Sequence, residues 1–156
     1  MYTGNPTYWK SADNSILSED NVLDLLCEKQ NGLVVLDATA TSVGAYRIGR
    51  QLVLQKPNVL LCSYEAVTTA LVMICKDPTK RPIQDYLMNT FQNVSVLFIH
   101  DIDFWIGKET TQEIVAEVFN IMALNAVVVL SGAQLTEHMG EFLQQLDNAE
   151  LIRLCR

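Results

Sequence analysis

Short, uninterrupted apolar runs alternate along this chain with longer stretches whose apolar residues recur at helical spacing. Leu33–Leu36 (LVVL) is continuous and β-branched, the pattern of a strand buried on both faces. The same kind of run returns at Asn58–Cys62, Ser95–His100, Ala126–Ser131 and Glu150–Leu154. Between them the spacing predicts helices over Val43–Gln55, Glu65–Lys76, Ile83–Gln92, Thr111–Leu124 and Glu137–Leu146. A further helix is expected before the first strand, from Ser18 to about Gln30, with Val22, Leu23, Leu25 and Leu26 on one stripe and Asn31-Gly32 as its stop. Ser18 followed by Glu19 and Asp20 supplies an oxygen for orphan amides and negative charge for the dipole's positive end. Two later entrances carry signals of their own: Thr110-x-x-Glu113 reads as a capping box, and Pro82 suits a first helical turn. Strand–helix alternation of this kind predicts an α/β fold, one parallel sheet with helices on both faces, linked by right-handed crossovers. Residues 1–32 are expected to form an arm and helix packed on a core of residues 33–156.

In an open parallel sheet, ligands bind at the carboxyl ends of the strands. After the first strand stands Asp37-Ala38-Thr39-Ala40-Thr41-Ser42-Val43-Gly44. A phosphate-binding loop needs glycines, so that amides can turn inward, and a lysine for the terminal phosphates. This segment has one glycine, and no lysine occurs between Lys29 and Lys56. Thr39, Thr41 and Ser42 are better read as caps for the next helix, and Asp37 would repel a triphosphate. The third strand ends in His100-Asp101-Ile102-Asp103, where an acidic residue could hold magnesium. On its own terms His100 reads as structural, and no metal set or G-x-S-x-G elbow accompanies it.

Composition narrows the partners. Eleven basic against eighteen acidic residues leave a net charge of −7, the wrong sign for general electrostatic binding to nucleic acid. Cys27, Cys62, Cys75 and Cys155 form no C-x-x-C pair and lie in apolar stretches, so free buried thiols are expected rather than zinc or disulfides. The longest apolar run, Ala70–Cys75, is far short of the roughly 20 residues that cross a bilayer. The start, MYTGNPTYWK, lacks the pattern of a signal peptide, so a cytoplasmic protein without membrane association is expected.

The segment Val96–Glu113, VLFIHDIDFWIGKETTQE, closely resembles the Walker B strand and following helix of the bacterial replication initiator family DnaA, whose pattern there is close to LLIDDIQFLAGKERTQEE. The resemblance extends over most of Leu33–Leu146, with Leu33–Leu52 in the place of the first strand and Walker A region, Ser63–Ile74 in that of the serine-led helix after the second strand, and Val127–Ser131 as the sensor strand. It implies a three-layer α/β/α P-loop NTPase core of the AAA+ type, with five parallel strands in the order 5-1-4-3-2. It also implies an inherited nucleotide site, with ATP and magnesium as its ligands, and a single-stranded-DNA face to which Lys108 and Val67 would belong.

Departures from the family pattern change what is expected of the site. Val43-Gly44 stands where the family has lysine-threonine, His100 replaces the first Walker B aspartate so that Asp101 alone is left, and Gly132 replaces the polar residue after Ser131. The arginine-finger region carries Gln144, Gln145, Asp147 and Asn148, with no arginine until Arg153, and Thr110 stands where the family has the second DNA-binding cation, an arginine. The chain stops before the family's helical lid and helix-turn-helix domain, which are expected to be absent. Each loss removes a different part of phosphoryl-transfer chemistry. The expectation is therefore a protein without ATPase activity or resident cofactor. It would act through association with an initiator, helicase or loader, or with itself, in replication or its control. Weak single-stranded-DNA binding through Lys108 and Val67, with Lys76, Lys80 and Arg81 as further cations, is the first alternative. An ATP-binding protein with an atypical site is the second. Trp105, beside Lys108, is expected to pack against the core.

Overall fold

A computed structural model describes residues 16–75, 93–105, 108–133 and 140–155, the side chains of residues 70–75 excepted. Its elements are β1 (Ile16–Leu17), α1 (Glu19–Glu28), β2 (Gly32–Asp37), α2 (Ser42–Gln55), β3 (Val59–Ser63), α3 (Tyr64–Cys75), β4 (Val96–His100), a 3-10 turn (Ile102–Trp105), α4 (Glu109–Met122), β5 (Val127–Gly132), α5 (Gly140–Gln144) and β6 (Glu150–Leu154). The expected helix over Ile83–Gln92, with Pro82 and the Lys76–Arg81 loop, lies outside the described residues, as does the first part of the helix expected over Glu137–Leu146.

Every described strand pairing is parallel, in the order β1-β6-β2-β5-β4-β3. From β6 to β3 this is the order 5-1-4-3-2 that the resemblance implies. Among the described residues the sheet has six strands instead of the expected five, because the short β1 adds to the outside of β6, pairing Ile16 with Arg153 and Leu17 with Leu154. A two-residue strand has no alternation to reveal it.

The pleat divides the central strand between two cores. Leu33 and Val35 of β2 face a cluster built on α4 and α5, with Trp105, Phe119 and Phe142 as its largest members. Val34 and Leu36 face the opposite cluster, where Ala45, Ile48 and Leu52 of α2 and Val22 and Leu26 of α1 pack. Both faces being covered, β2 can be apolar at every position from Leu33 to Leu36. Helix α1 is clamped to α2 by a two-pronged ion pair, Arg47 Nε to Glu19 Oε1 at 2.8 Å and a terminal guanidinium nitrogen to Oε2 at 2.7 Å. The Arg47 guanidinium holds the Glu19 carboxyl below its usual range.

Local signals fare unevenly. Ser18 caps α1, its Oγ accepting from Asn21 N–H at 3.3 Å. The capping box at Thr110-x-x-Glu113 does not form: the helix begins two residues earlier than expected, at Glu109, and Lys108 is its N-cap, with no side-chain cap bond. Buried Gln112 instead turns back into the 3-10 turn, its amide donating to the Trp105 carbonyl at 2.8 Å. Cys27, Cys62 and Cys155 are free thiols but half-buried rather than buried, because their segments lie at element ends and the sheet edge. No helix among the described residues is long and apolar enough to cross a membrane.

Candidate nucleotide-site region

At the carboxyl end of β2 the chain turns into α2 through four residues, and the amides of Ala38, Thr39 and Thr41 have acceptors within the protein. Ala38 N–H donates to the Gly132 carbonyl at 2.8 Å, and Thr41 N–H to the Ala38 carbonyl at 3.1 Å. Thr39 N–H donates to Asp37 Oδ1 at 3.0 Å, and the Thr39 hydroxyl donates to the same oxygen. Thr41 is the N-cap of α2, its Oγ1 accepting from Gly44 N–H at 3.0 Å. The loop is thus folded onto its own acceptors.

Asp37 is buried, and the neighbouring strand supplies its counter-ion. β2 and β6 run side by side with Asp37 opposite Arg153, and Arg153 Nε lies 3.4 Å from Asp37 Oδ2. A carboxylate, an arginine and a threonine hydroxyl are therefore gathered at the mouth of the central strand. Ser42 and Val43 point outward at the start of α2, Val43 being 58 % exposed. Gly44 is buried, and a Cβ there would come within 3.0 Å of Thr41 Cγ2 and 3.1 Å of Leu154 Cδ2. Close approach of the helix start to β6 thus depends on glycine.

The end of β4 is organised around an aromatic pair. His100 is buried and stacked under Tyr46 of α2, ring centroids 4.2 Å apart and planes 17° from parallel, and Phe98 is tilted against the same imidazole with centroids 4.7 Å apart. At Gly49 a Cβ would stand 3.2 Å from Leu61 Cδ2 and 3.4 Å from His100 Nε2, tight against the β3 leucine and in ordinary contact with the imidazole. Burial lowers the His100 pKa against the opposing pull of Asp101, and the buried Nδ1 has no hydrogen-bond partner. Asp101 follows in left-handed backbone, φ 63°, and its Oδ2 accepts from the Tyr46 hydroxyl at 2.6 Å. That bond, with burial behind it, pushes the phenol up to about 12. Tyr46, Arg50, Leu61, Cys62, Ser63 and His100 line a shallow cleft of about 440 Å³ here. Burial also raises the Cys62 thiol above its usual range.

Beyond β4, Asp103 reaches across to β5, its Oδ1 accepting from Ala133 N–H at 3.3 Å. Ser131, in the sensor position, is buried opposite Leu36. Trp105 is fully buried, as expected, and its indole N–H donates to Thr68 Oγ1 at 2.8 Å, joining the 3-10 turn to α3. Phe104 faces outward, 56 % exposed, and stacks on Tyr64 with ring centroids 4.7 Å apart and planes 9° from parallel. Of the residues expected at a DNA face, Lys108 is exposed and Val67 is half-buried against the core.

The structure brings Asp37, Thr41 and Gly44 together at one strand mouth, and His100 and Asp101 together at another. It adds Arg153, Tyr46 and Phe104, which the reading of strand ends passed over. Arg153 lies inside a strand rather than at its end, and pairs with Asp37 only through the parallel register. Tyr46 sits among exposed helix positions, where sequence spacing carries no signal of a contact to residue 101.

Residues 46–151 match the family described as the bacterial DnaA ATPase domain. The chain belongs to that family. Its matched stretch takes in His100, Asp101 and Ser131. Among solved structures, domain III of the Thermotoga maritima replication initiation protein DnaA is 17 % identical, with a TM-score of 0.61, covering all of this chain and 64 % of that one. DnaA from Aquifex aeolicus bound to AMPPCP is 16 % identical, TM-score 0.54, over 98 % of this chain and 47 % of that one. The replication initiator DnaA bound to AMPPCP and single-stranded DNA is 18 % identical, TM-score 0.58, over 91 % and 48 %. At these identities the likeness shows the DnaA AAA+ fold. This chain spans between about half and two thirds of the length of those proteins. Among curated proteins, none matches it significantly.

Proposed function

We propose that this DnaA-family chain is a non-catalytic AAA+ module that acts by protein–protein association in the initiation of DNA replication or its control. One observation carries the reading: the amides of Ala38, Thr39, Thr41 and Gly44 around the loop after β2 are bound to acceptors within the protein, and a buried carboxylate stands at the strand mouth with an arginine beside it. A triphosphate is held by inward amides and a lysine. Here the Ala38, Thr39, Thr41 and Gly44 amides already have acceptors, and Asp37 contributes negative charge where phosphate oxygens would lie. The residues present do not fit ATP with magnesium.

Asp101 and Tyr46 support the same reading, because the carboxylate at the Walker B position is hydrogen-bonded to a phenol. What the fold retains is a rigid core with exposed helices able to engage an initiator, helicase or loader. Titration calorimetry with ATP and magnesium should give no binding heat, while crosslinking in cell extract should recover the initiator or replicative helicase. Saturable ATP binding abolished by Asp101→Ala, or recovery of this chain alone at physiological salt, would defeat the reading.

A second reading rests on the Tyr64–Phe104 pair. Bases stack on exposed aromatic rings, and Lys108 is exposed at the start of α4, four residues after Phe104. A weak, salt-sensitive single-stranded-DNA binder would use that surface. Gel-shift titrations with an oligonucleotide should then weaken with Phe104→Ala and with Lys108→Ala; unchanged affinity in both removes this reading.

A further inference from the structure

The cleft between α2 and the end of β3 is a different place from the mouth of β2. Its walls are Tyr46, Arg50, Leu61, Cys62, Ser63 and His100, and none of the loop Asp37–Gly44 lines it. β5 and β4 stand between the two places, since the sheet runs β2-β5-β4-β3. Register sets Ser63 beside His100, and in parallel strands such partners share a face, here the one that α2 covers.

Three polar groups of the cleft are unspent. Arg50 is exposed, and among the described residues no carboxylate pairs with it, whereas Arg47 is held by Glu19. His100 is only 7 % exposed, and its imidazole has no hydrogen-bond partner among the described residues. Its Nδ1 is sealed, while Nε2 and Leu61 Cδ2 flank the same point over Gly49, at 3.4 and 3.2 Å, which sets Nε2 toward the leucine wall of the cleft. Ser63 Oγ accepts from Ala66 N–H at 3.2 Å at the start of α3, and its own proton is left to give. The first turn of α3 adds the positive end of a helix dipole. The rest of the wall is neutral: Leu61, the Tyr46 ring and Cys62, whose thiol burial keeps protonated. Two acids on the flanking segments are engaged, Asp101 by the Tyr46 hydroxyl at 2.6 Å and Glu65 by the Tyr64 hydroxyl at 3.2 Å.

Unpaired donors above an apolar floor select the ligand. A guanidinium fork matches the two oxygens of a carboxylate. One free cation near Asp101 balances a single negative charge, but not the two of a phosphate dianion. The volume, about 440 Å³, lies at the small end of ligand sites. We propose that this cleft binds a small branched carboxylic acid as its anion, with the carboxylate on Arg50, His100 Nε2–H and the Ser63 hydroxyl as further donors, and the alkyl part on Leu61, Cys62 and the Tyr46 ring. With one charge and few carbons to bury, the affinity is modest.

Nuclear magnetic resonance titration of the full chain with sodium isovalerate, at constant ionic strength, tests this. Neither nucleotide nor partner protein is present, so the outcome is separate from that of the proposed function. Saturable amide shifts should appear at Tyr46–Arg50, Leu61–Ser63 and His100, and be absent from Asp37–Gly44. Isovaleramide, which has the same shape without the charge, and inorganic phosphate should each bind at least about tenfold more weakly. Arg50→Gln, an exposed change that leaves the urea midpoint in place, should weaken isovalerate binding about tenfold, and His100→Phe, which keeps the ring stack, about fivefold. Equal binding of isovaleramide or phosphate, either variant binding as tightly as wild type, or no saturation below about 100 mM would each overturn the proposal.

Discussion

Tyr46 lies flat on His100 and donates its hydroxyl to Asp101, so one helix side chain covers the ring and holds the carboxylate of two consecutive residues. Asp101 is in left-handed backbone, and that turn aims its carboxylate back toward α2. The position that carries a metal-binding carboxylate in nucleotide motors is here part of an aromatic clamp between α2 and β4.

Breaking the polar half of that clamp isolates its contribution. Tyr46→Phe keeps the stack and removes the hydroxyl, and should cost about 1 kcal/mol, modest because the tyrosine is partly exposed. Urea unfolding at pH 8 measures this. The phenol held at about 12 ionises above its unfolded value, so its contribution is complete below pH 10 and is lost as pH rises through 12. Absorbance titration near 295 nm should show one tyrosine ionising late in the wild type and none so late in the variant.

The imidazole beneath it gives the opposite pH dependence. Burial depresses the folded-state pKa of His100, so the unfolded chain takes up the proton first. Stability is complete above the unfolded value of about 6.5 and falls as pH drops from there toward the folded value. His100→Phe preserves the ring contacts and removes the buried Nδ1 that lacks a partner. It should raise stability by about 1 kcal/mol at pH 7 and by more at pH 5.5, as read from denaturant midpoints.

Gly44→Ala tests how tightly α2 is seated. Alanine would favour the helix by about 1 kcal/mol in an exposed position. Here the new methyl meets Thr41 Cγ2 at 3.0 Å and Leu154 Cδ2 at 3.1 Å, displacing the cap and straining the contact to β6. Losing the cap and overpacking each cost about 1 kcal/mol or more, so a net destabilisation of about 1 kcal/mol is expected in urea titration.

The Trp105–Thr68 bond joins the segment after β4 to α3. Thr68→Val keeps the shape and leaves the buried indole N–H without an acceptor, a loss of about 1–3 kcal/mol. In the background of Trp105→Phe, which has no donor, the same change should cost much less. A double-mutant cycle in guanidinium gives that coupling directly; additive losses would mean the bond contributes nothing.

Strand identity was legible because strands in a covered parallel sheet are short apolar runs, and five of the six described strands were read from such runs, whereas their order came from the resemblance to the DnaA family. β1 was not legible, being two residues long, nor was the true start of α4. There the 3-10 turn and the buried Gln112 set the register in preference to the local Thr110-x-x-Glu113 pattern. The resemblance at Val96–Glu113 located the strand mouths that matter, and the single glycine and missing lysine after β2 were plain from the residues themselves.

What those residues contact at the strand mouths was decided by tertiary structure. Arg153 faces Asp37 because β6 happens to pair with β2 in that register, and Tyr46 reaches Asp101 because α2 crosses back over β4, contacts separated by more than fifty residues of chain. Apolar periodicity and chain chemistry specified the elements, since each element must bury its own apolar side whatever its neighbours are. Which polar groups meet at the strand mouths depended on how the strands line up, and that alignment is a property of the packed sheet as a whole, not of any segment within it.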